Sequence, residues 1–390
     1  MGRPARSGGF GLVLLLAAIL CLIFLSRAVF SPLLLRIERD LDLSHAEGAA
    51  LFLLLSAGYG VSMLFSGFVS RRLLHRRTIL LACVLTAFML FLVAASSSLL
   101  VTRALLVLLG LGAGIYLPSG IALIYAHVHR ERWGLAIGIH ELGPNTGLIL
   151  APLLSQLLAP AVGWRGVLVI LGAASLALGL AFTLSGWGGS LRGEPPNLRN
   201  VRFIVRRPSY AAVLVAFCIV AASSLGSYSI FPVFLVSERA FTEARANLLV
   251  GLSRLSGPAM VFLTGWLLDR IDTKVFFRLI LLAIGVFTLL VGVTRGALLT
   301  AVVVLQPVAT AAFFPAAFTV IARVTPAQSS NVAVSLVVFC AYVFGAGVVP
   351  AVMGILGERG LFSLGFVLIG GLALTVLGSF LLMDQPRPES

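Results

Sequence analysis

Long apolar segments alternate with short polar connectors along the whole chain. A segment of about 20 residues with almost no charge is long enough to cross a hydrocarbon core of ~30 Å as a helix. The pattern predicts an all-α membrane protein, because helices satisfy their own backbone hydrogen bonds in lipid. Twelve spans are predicted, at 10–33, 46–69, 77–96, 99–125, 133–157, 165–187, 209–235, 245–268, 276–294, 297–321, 331–355 and 361–382.

Composition agrees with this pattern and excludes an ordinary water-soluble protein. The 390 residues are 59% hydrophobic and 11% charged, with a mean hydropathy of +1.09. Soluble domains carry about a quarter of charged residues. The 40 glycines and 17 prolines are also tolerated in membrane helices, where small residues allow close packing.

The formal charge of +14 could indicate nucleic acid, so the location of the basic residues decides its meaning. An even number of spans puts both termini on one side, where the connectors hold eighteen Arg and Lys residues against seven on the other side. The positive-inside rule then makes that side cytoplasmic. We therefore expect a multi-pass protein of the cytoplasmic (inner) membrane with both termini inside, surrounded by lipid, monomeric and without a nucleic-acid partner.

Neither processing nor bound cofactors are indicated. Arg3 and Arg6 precede an apolar run as in a signal peptide, but no cleavage site follows, so the run is kept as the first span. The four cysteines lie inside spans without paired spacing, and His127 and His129 have no further clustered ligand. No metal site, cofactor or enzymatic motif is predicted.

The chain is predicted to consist of two related halves. Its longest polar connector, basic and with prolines and glycines, divides it into an N-terminal six-helix bundle at 1–187, a cytoplasmic linker at 188–208 and a C-terminal six-helix bundle at 209–390. Three landmarks recur at an offset of 197 or 198 residues, which indicates two parallel repeats. They are Gly67 with Gly265, Pro118 with Pro315, and Pro152 with Pro350.

Three motifs resemble the major facilitator superfamily of transporters, and the resemblance covers essentially the whole chain. A Gly-x-x-x-Asp-Arg-x-x-x-Lys stretch is similar to the signature loop between the second and third helices of a half. A Gly-Pro-x-x-Gly element in span 5 and a Gly-Trp-Arg start to span 6 are similar to further family features. The residues are Gly265, Asp269, Arg270 and Lys274; Gly143 to Gly147; and Gly163 to Arg165.

The resemblance implies two pseudo-symmetric six-helix bundles, alternating access and a gating contact at the signature loops. Asp269 and Arg270 are the expected gating residues of the second half, and Arg72 is their counterpart in the first. The first-half loop departs from the family pattern, because Arg71 stands where the family carries Asp. Plain positive-inside anchoring is the alternative explanation of these inner charges.

Ionisable residues inside spans are the candidates for function, because a charge in hydrocarbon costs at least ~2.5 kcal/mol unless it is paired or hydrated. Arg27, Glu141 and Arg254 are predicted near the middle of the core, each nine residues from a charge at a membrane face. Arg103 lies closer to the outer face and either snorkels to the headgroups or faces the cavity. Positions 198 residues away are not ionisable, so the repeat itself does not need these charges.

Three intramembrane arginines and a single intramembrane carboxylate predict an anionic substrate. Arginine cannot shed its proton, and guanidinium binds carboxylate or phosphate through bidentate hydrogen bonds. Arg27 and Arg254 lie in opposite halves, so one anion is expected to contact both of them. This charge placement resembles the organic-anion branches of the superfamily. A structural salt bridge or a cap on backbone carbonyls is the alternative for either arginine.

A proton is the expected coupling ion. Glu141 is the one carboxylate predicted inside the membrane, and a histidine, the side chain that most often exchanges protons in proteins, stands beside it at position 140. Neighbouring residues on a helix point about 100° apart, whereas Glu141 and Asn145 share one face, so these two are expected to face the cavity. His140 as a packing histidine is the alternative.

Aromatic residues complete the predicted substrate site, with packing as the alternative role. They are Tyr59, Tyr116, Tyr228 and Tyr342. The sequence thus predicts a secondary active transporter of a small carboxylate-type anion that is coupled to protons, with symport preferred to antiport or uniport. An exporter or antiporter of another small molecule, a membrane receptor that binds without flux, and a membrane-embedded enzyme remain open alternatives.

Overall fold

The computed structural model describes residues 9–193, 208–325 and 330–379, and these are helical without strands. Both chain ends and most of the predicted linker fall outside the described residues. Twelve helices correspond to the twelve predicted spans: α1 Gly9–Leu41, α2 His45–Leu73, α3 His75–Ala95, α4 Leu99–His127, α5 and α6 within Trp133–Leu184, α7 Ser209–Ser237, α8 Glu243–Ser253 with Ser256–Leu268, α9 Thr273–Val293, α10 Gly296–Val324, α11 Ala333–Gly357 and α12 Phe362–Ser379.

One long helical stretch with a break, one interrupted helix and one shorter helix account for the difference between nine long apolar stretches and twelve spans. In the described part of the chain, nine helices are long and apolar enough to cross a membrane by themselves. The stretch Trp133–Leu184 contains two spans, because Gly163 has φ 68° and ψ 173° and turns the chain between α5 and α6. L residues with a side chain rarely adopt this conformation, so glycine is required there.

The contacts divide the chain into two compact units. The first comprises residues 1–41 and 54–195, and the second residues 42–53 and 196–390. The start of α2 thus groups with the second unit. There Glu358 accepts a hydrogen bond from the Ala46 amide at 3.3 Å, and a Cβ added at Gly354 would lie only 2.6 Å from the His45 carbonyl oxygen.

Glycine crossings bring helix backbones together in both units. A Cβ at Gly147 of α5 would lie 3.1 Å from the Cys21 carbonyl oxygen of α1. A Cβ at Gly345 of α11 would lie 2.8 Å from the Cys218 carbonyl oxygen of α7. The two glycines are 198 residues apart, so the predicted repeat extends to the packing of equivalent helices.

Two predicted connectors are too long, because the helices continue past the polar ends of the spans. α1 continues to Leu41, so Arg36 and Arg39 belong to the helix and not to a connector. The connector between α2 and α3 is a single residue, Leu74, with φ 70°. Arginine is a good helix former, and hydropathy marks where the hydrocarbon ends rather than where the helix ends.

Candidate functional site

In the first unit, Arg27 stacks on a tyrosine inside the bundle. Its guanidinium carbon lies 3.6 Å from the centroid of the Tyr59 ring and 5.3 Å from that of Phe24. Both Arg27 and Tyr59 are buried. Close approach of α4 fixes α2 here, because a Cβ at Gly110 would lie 2.7 Å from the Tyr59 amide nitrogen. A desolvated cation over an aromatic face is a favourable arrangement.

In the second unit, Arg254 also contacts a tyrosine. Its guanidinium carbon lies 5.1 Å from the centroid of the Tyr228 ring. It donates hydrogen bonds from Nη1 to the Ser224 hydroxyl at 3.3 Å and from Nη2 to the Ser224 carbonyl at 2.9 Å. Its Nε is buried without a hydrogen-bond partner among the described residues. Buried N–H groups normally find an acceptor.

A break in α8 positions this arginine. The helix stops at Ser253 and resumes at Ser256, with Arg254 at the junction. Pro258 explains the break, since it has no N–H to donate to the carbonyl four residues earlier, which is that of Arg254. That carbonyl accepts instead from the Gly257 amide at 3.1 Å. The guanidinium is thereby directed at Ser224, which lies in a π-helical turn of α7 at Ala222–Gly226.

His140 forms a hydrogen-bonded group with Tyr116 and Glu141. The His140 Nε2 lies 3.2 Å from the Tyr116 hydroxyl, and its Nδ1 lies 3.3 Å from Glu141 Oε1. His140 and Tyr116 are fully buried, whereas the Glu141 side chain is 46% exposed. The neighbouring residues thus differ in burial: the His140 imidazole is enclosed in the unit and the Glu141 carboxylate lies at its surface.

The hydrogen bonds of this group restrict where its protons lie. The Tyr116 hydroxyl donates to the Leu16 carbonyl at 2.5 Å, so its oxygen is left to accept a hydrogen bond from His140 Nε2–H. His140 Nδ1 then faces a carboxylate oxygen, and this contact is attractive only with one proton between the two atoms. A neutral histidine with a protonated Glu141, or an imidazolium with a carboxylate, meets that condition.

The remaining predicted ligands differ in their surroundings. Asn145 is half-buried one turn beyond Glu141 and donates from Nδ2 to its carbonyl at 3.3 Å. Tyr342 is half-buried in the π-helical part of α11, Ala341–Val348. Arg103 is half-buried in the first turns of α4.

The predicted gating residues lie at helix ends. Asp269 and Arg270 are exposed after α8, and the Arg270 guanidinium carbon lies 3.8 Å from the Trp266 ring centroid. Asp272, two residues further, caps α9 by accepting from the amides of Lys274 and Val275. Arg72 is exposed at the end of α2.

Sequence reasoning missed an acidic residue at the end of the first helix of each half. Asp40 accepts hydrogen bonds from the Trp164 indole and the Arg165 guanidinium at the start of α6. Glu238, 198 residues later, accepts from the Phe362 and Ser363 amides at the start of α12. The repeat offset was the signal that could have identified this pair.

A buried polar cluster in the second unit was also missed. Gln306 donates from Nε2 to the Ser223 carbonyl at 2.5 Å and to the Ser223 hydroxyl at 3.0 Å, and Thr288 completes the group. All three side chains are fully buried. Their repeat partners are Leu108, Leu25 and Leu90, so only the second half has a polar core at this position.

Metal ligands do not cluster in the residues that the structure describes, where no group of three or more His, Cys, Asp or Glu side chains comes together. The four cysteines are free.

The paired bundles, the repeated helix crossings and the apolar spans define a multi-pass membrane protein of transporter type. The chain matches the Major Facilitator Superfamily over residues 16–304 and 212–390, and it belongs to that family. The family and the fold support a membrane transporter that works by alternating access on a small-molecule substrate. No curated protein matches the chain in sequence.

Solved structures with the same fold include a bacterial homologue of the human lysosomal transporter Spinster, in an inward-facing and occupied conformation. It is 17% identical with a TM-score of 0.82, covering 98% of this chain and 97% of that one. A mutant of the nucleoside transporter NupG is 15% identical with a TM-score of 0.78, over 95% and 99% of the chains. A POT family transporter in complex with a thioalcohol-conjugated peptide is 13% identical with a TM-score of 0.77, over 96% of each chain. At these identities the likeness concerns the fold alone.

Proposed function

We propose that the protein is a proton-coupled secondary transporter of a small carboxylate-type anion. Arg27 and Arg254 are its anion ligands, and Glu141 with His140 carries the proton. The observation that carries the proposal is that each unit holds a buried arginine against a buried tyrosine on its first two helices. A guanidinium keeps its charge when it is buried, so a negatively charged substrate offsets the free-energy cost of burying it.

Arg254 supports an anionic substrate most directly. Two of its nitrogens donate to Ser224, while the buried Nε has no acceptor among the described residues. A carboxylate can accept from Nε and one Nη together in a bidentate arrangement. Ser224 would then act as the support that aims the guanidinium, and Tyr228 as the aromatic wall beside it.

The His140–Glu141 contact supports proton coupling. Since Tyr116 leaves His140 Nε2 as a donor, the pair is satisfied with one shared proton and becomes repulsive when that proton is lost. Loss of the proton therefore favours a different side-chain arrangement, which is what a coupling site needs. We propose that Tyr116 positions His140, in place of the substrate contact expected from sequence.

The other expected residues keep their proposed roles. Tyr59, Tyr228, Asn145 and Tyr342 contact the substrate, and Asp269, Arg270 and Arg72 take part in gating. We further propose that the chain is a monomer in the cytoplasmic membrane with both termini inside, as the distribution of basic residues favours.

The anion proposal is tested by binding to purified protein. A thermal-shift screen of mono- and dicarboxylates and inorganic anions identifies the ligand, because a ligand that binds the folded state raises the melting temperature. Arg254→Ala should weaken binding of that ligand at least about tenfold through the loss of charge-assisted hydrogen bonds. Arg132→Ala is the matched control, since Arg132 is exposed at a helix start. Unchanged affinity in Arg254→Ala would remove this residue from the site.

Proton coupling is tested in proteoliposomes. Glu141→Gln should abolish accumulation driven by a pH gradient but spare counterflow exchange, and Tyr116→Phe should shift the pH dependence of uptake while substrate affinity is retained. Full accumulation by Glu141→Gln would refute the proton role. Exchange without net uptake in the unchanged protein would instead identify an antiporter, and binding without any flux a receptor.

A further inference from the structure

A groove lined by arginines lies at the α2–α3 end of the first unit. It has a volume of about 650 Å³ and is lined by Phe68, Val69, Arg71, Arg72 and Arg192. The three arginines are exposed. By the distribution of basic residues, this end of the unit is the predicted cytoplasmic one. Three guanidinium groups beside an apolar wall are suited to a ligand that has both an anionic and an apolar part.

Backbone hydrogen bonds hold Arg192 at this groove. The amide of Gly193 donates to the Ser70 carbonyl at 3.2 Å, and the Leu191 carbonyl accepts from the His75 amide at 3.0 Å. The segment is therefore fixed on both sides of Arg192 against the turn that carries Arg71 and Arg72. Positive-inside topology requires basic residues at this end but does not require this placement.

Glycine at position 193 is a condition of this arrangement. A Cβ there would overlap the Ser70 Oγ and would lie 2.8 Å from the Ser70 Cβ and 3.3 Å from the Gly67 carbonyl oxygen. Any larger residue must push the segment away from α2. Gly193 thus offers a way to displace Arg192 without removing a charge.

An apolar stripe leads from the arginines along α2. Val61, Phe65 and Phe68 are 39%, 55% and 42% exposed and are spaced as one face of a helix. The Phe65 and Phe68 ring centroids lie 6.2 Å apart. From position 61 to position 72 the helix rises about 16 Å, close to the hydrocarbon depth of one leaflet.

We propose that this groove binds an anionic phospholipid. The phosphate headgroup lies among Arg71, Arg72 and Arg192, and an acyl chain lies along the stripe of Val61, Phe65 and Phe68. A soluble phosphate would use the arginines alone, whereas the apolar stripe matches the chain of a lipid. Because Arg71 stands where the family pattern carries an acidic residue, the charged residues that line the described part of the groove are all basic.

Native mass spectrometry of the full-length protein in neutral detergent micelles tests this proposal. The probes are phosphatidylglycerol, phosphatidylcholine and inorganic phosphate. Replacement of Arg71, Arg72 and Arg192 by Gln should weaken phosphatidylglycerol binding about a hundredfold, at about fivefold for each arginine near a headgroup. Phosphatidylcholine should bind weakly to both proteins.

The matched control replaces Arg77, Arg130 and Arg132 by Gln, three exposed arginines that do not line the groove. It should retain phosphatidylglycerol binding within about threefold. An equal loss in this control would mean attraction by net charge only and would overturn the proposal.

Two further variants separate a lipid from a soluble anion and guard against misfolding. Phe65→Ser should weaken phosphatidylglycerol binding while all charges stay in place, and Gly193→Ala should do so by displacing Arg192. If inorganic phosphate at millimolar concentration displaces the lipid from the unchanged protein, or if Phe65→Ser and Gly193→Ala bind phosphatidylglycerol normally, the groove is not a lipid site.

Discussion

Each half has a buried arginine in contact with a tyrosine of the neighbouring helix, but the two residues occupy opposite helices in the two halves. In the first unit the arginine is on α1 and the tyrosine on α2, as Arg27 with Tyr59. In the second unit the tyrosine is on α7 and the arginine on α8, as Tyr228 with Arg254. The repeat therefore conserves the pair of helices that carries the contact but not the positions of its residues. When the halves are aligned at an offset of 198 residues, neither arginine has an ionisable counterpart. The structure nevertheless shows an arginine–tyrosine contact in each half.

The halves also differ in the burial of the acidic residue at the end of their first helix, Asp40 or Glu238. Asp40 and Arg165 pair at an exposed site, with side chains 43% and 35% exposed. Glu238 and Arg239 are nearly buried, and Glu238 caps the start of α12 through two backbone amides. The acidic residue of the second half is thus more buried, and it binds two backbone amides as well as an arginine.

The largest expected difference between the halves concerns the glycine crossings. Gly345→Ala should lower the free energy of unfolding by about 3 kcal/mol and Gly147→Ala by about 1 kcal/mol, the two ends of the range for overpacking. The reason is that a Cβ at 345 would lie 2.7 Å from the Ala222 amide nitrogen, whereas the nearest backbone atoms at 147 are 3.1 Å away. Unfolding of the purified protein in denaturant measures both values. Equal losses would show that the two crossings are equally tight.

Lysine substitution distinguishes the two arginines next. Arg254→Lys should weaken binding of the identified anion about tenfold, because lysine cannot reproduce the fork that contacts Ser224 and still offers a further donor. Arg27→Lys should weaken it less than about threefold, since a lysine ammonium also makes a cation–π contact with a tyrosine ring. Titration calorimetry of both variants measures the affinities. A larger loss for Arg27→Lys would reverse the assignment of the two contacts.

A smaller effect is expected at the first-helix acidic residues. Glu238→Ala should lower the free energy of unfolding by about 1–2 kcal/mol, as for the loss of a helix cap. Asp40→Ala should cost less than about 1 kcal/mol, because its pair with Arg165 is exposed. Urea unfolding of the two variants measures the order, and Asp40→Ala being the more harmful would contradict it.

The smallest effect is a pH dependence at Glu358. Hydrogen bonds from Ser44 and the Ala46 amide lower the pKa of this carboxyl below its ordinary value. A lowered pKa in the folded state gives stability that is present above the unfolded pKa and is lost as pH falls through the folded one. The melting temperature of Glu358→Gln should therefore fall less between pH 6 and pH 3 than that of the unchanged protein. Parallel curves would mean that Glu358 does not contribute.

The fold could be predicted from sequence because hydropathy and the repeat offset depend only on residue types and their positions along the chain. The apolar pattern predicts twelve helices, and Pro258 in span 8 is a visible reason for the break at Arg254. The partners of the buried residues could not be predicted in this way. Tyr116 and His140 are 24 residues apart, and only the packing of α4 on α5 brings the hydroxyl to the imidazole. Sequence alone therefore places Tyr116 among the substrate ligands, and its contact with His140 appears only in three dimensions.

The turn at Gly163 has a mechanical consequence. α5 and α6 meet at this one residue without an intervening loop, so a movement of one helix is passed directly to the other. His140 and Glu141 lie on α5. Arg165 lies two residues after Gly163, at the start of α6, and donates a hydrogen bond to Asp40 of α1. Any tilt of α5 is therefore transmitted through Arg165 and Asp40 to the end of the first helix.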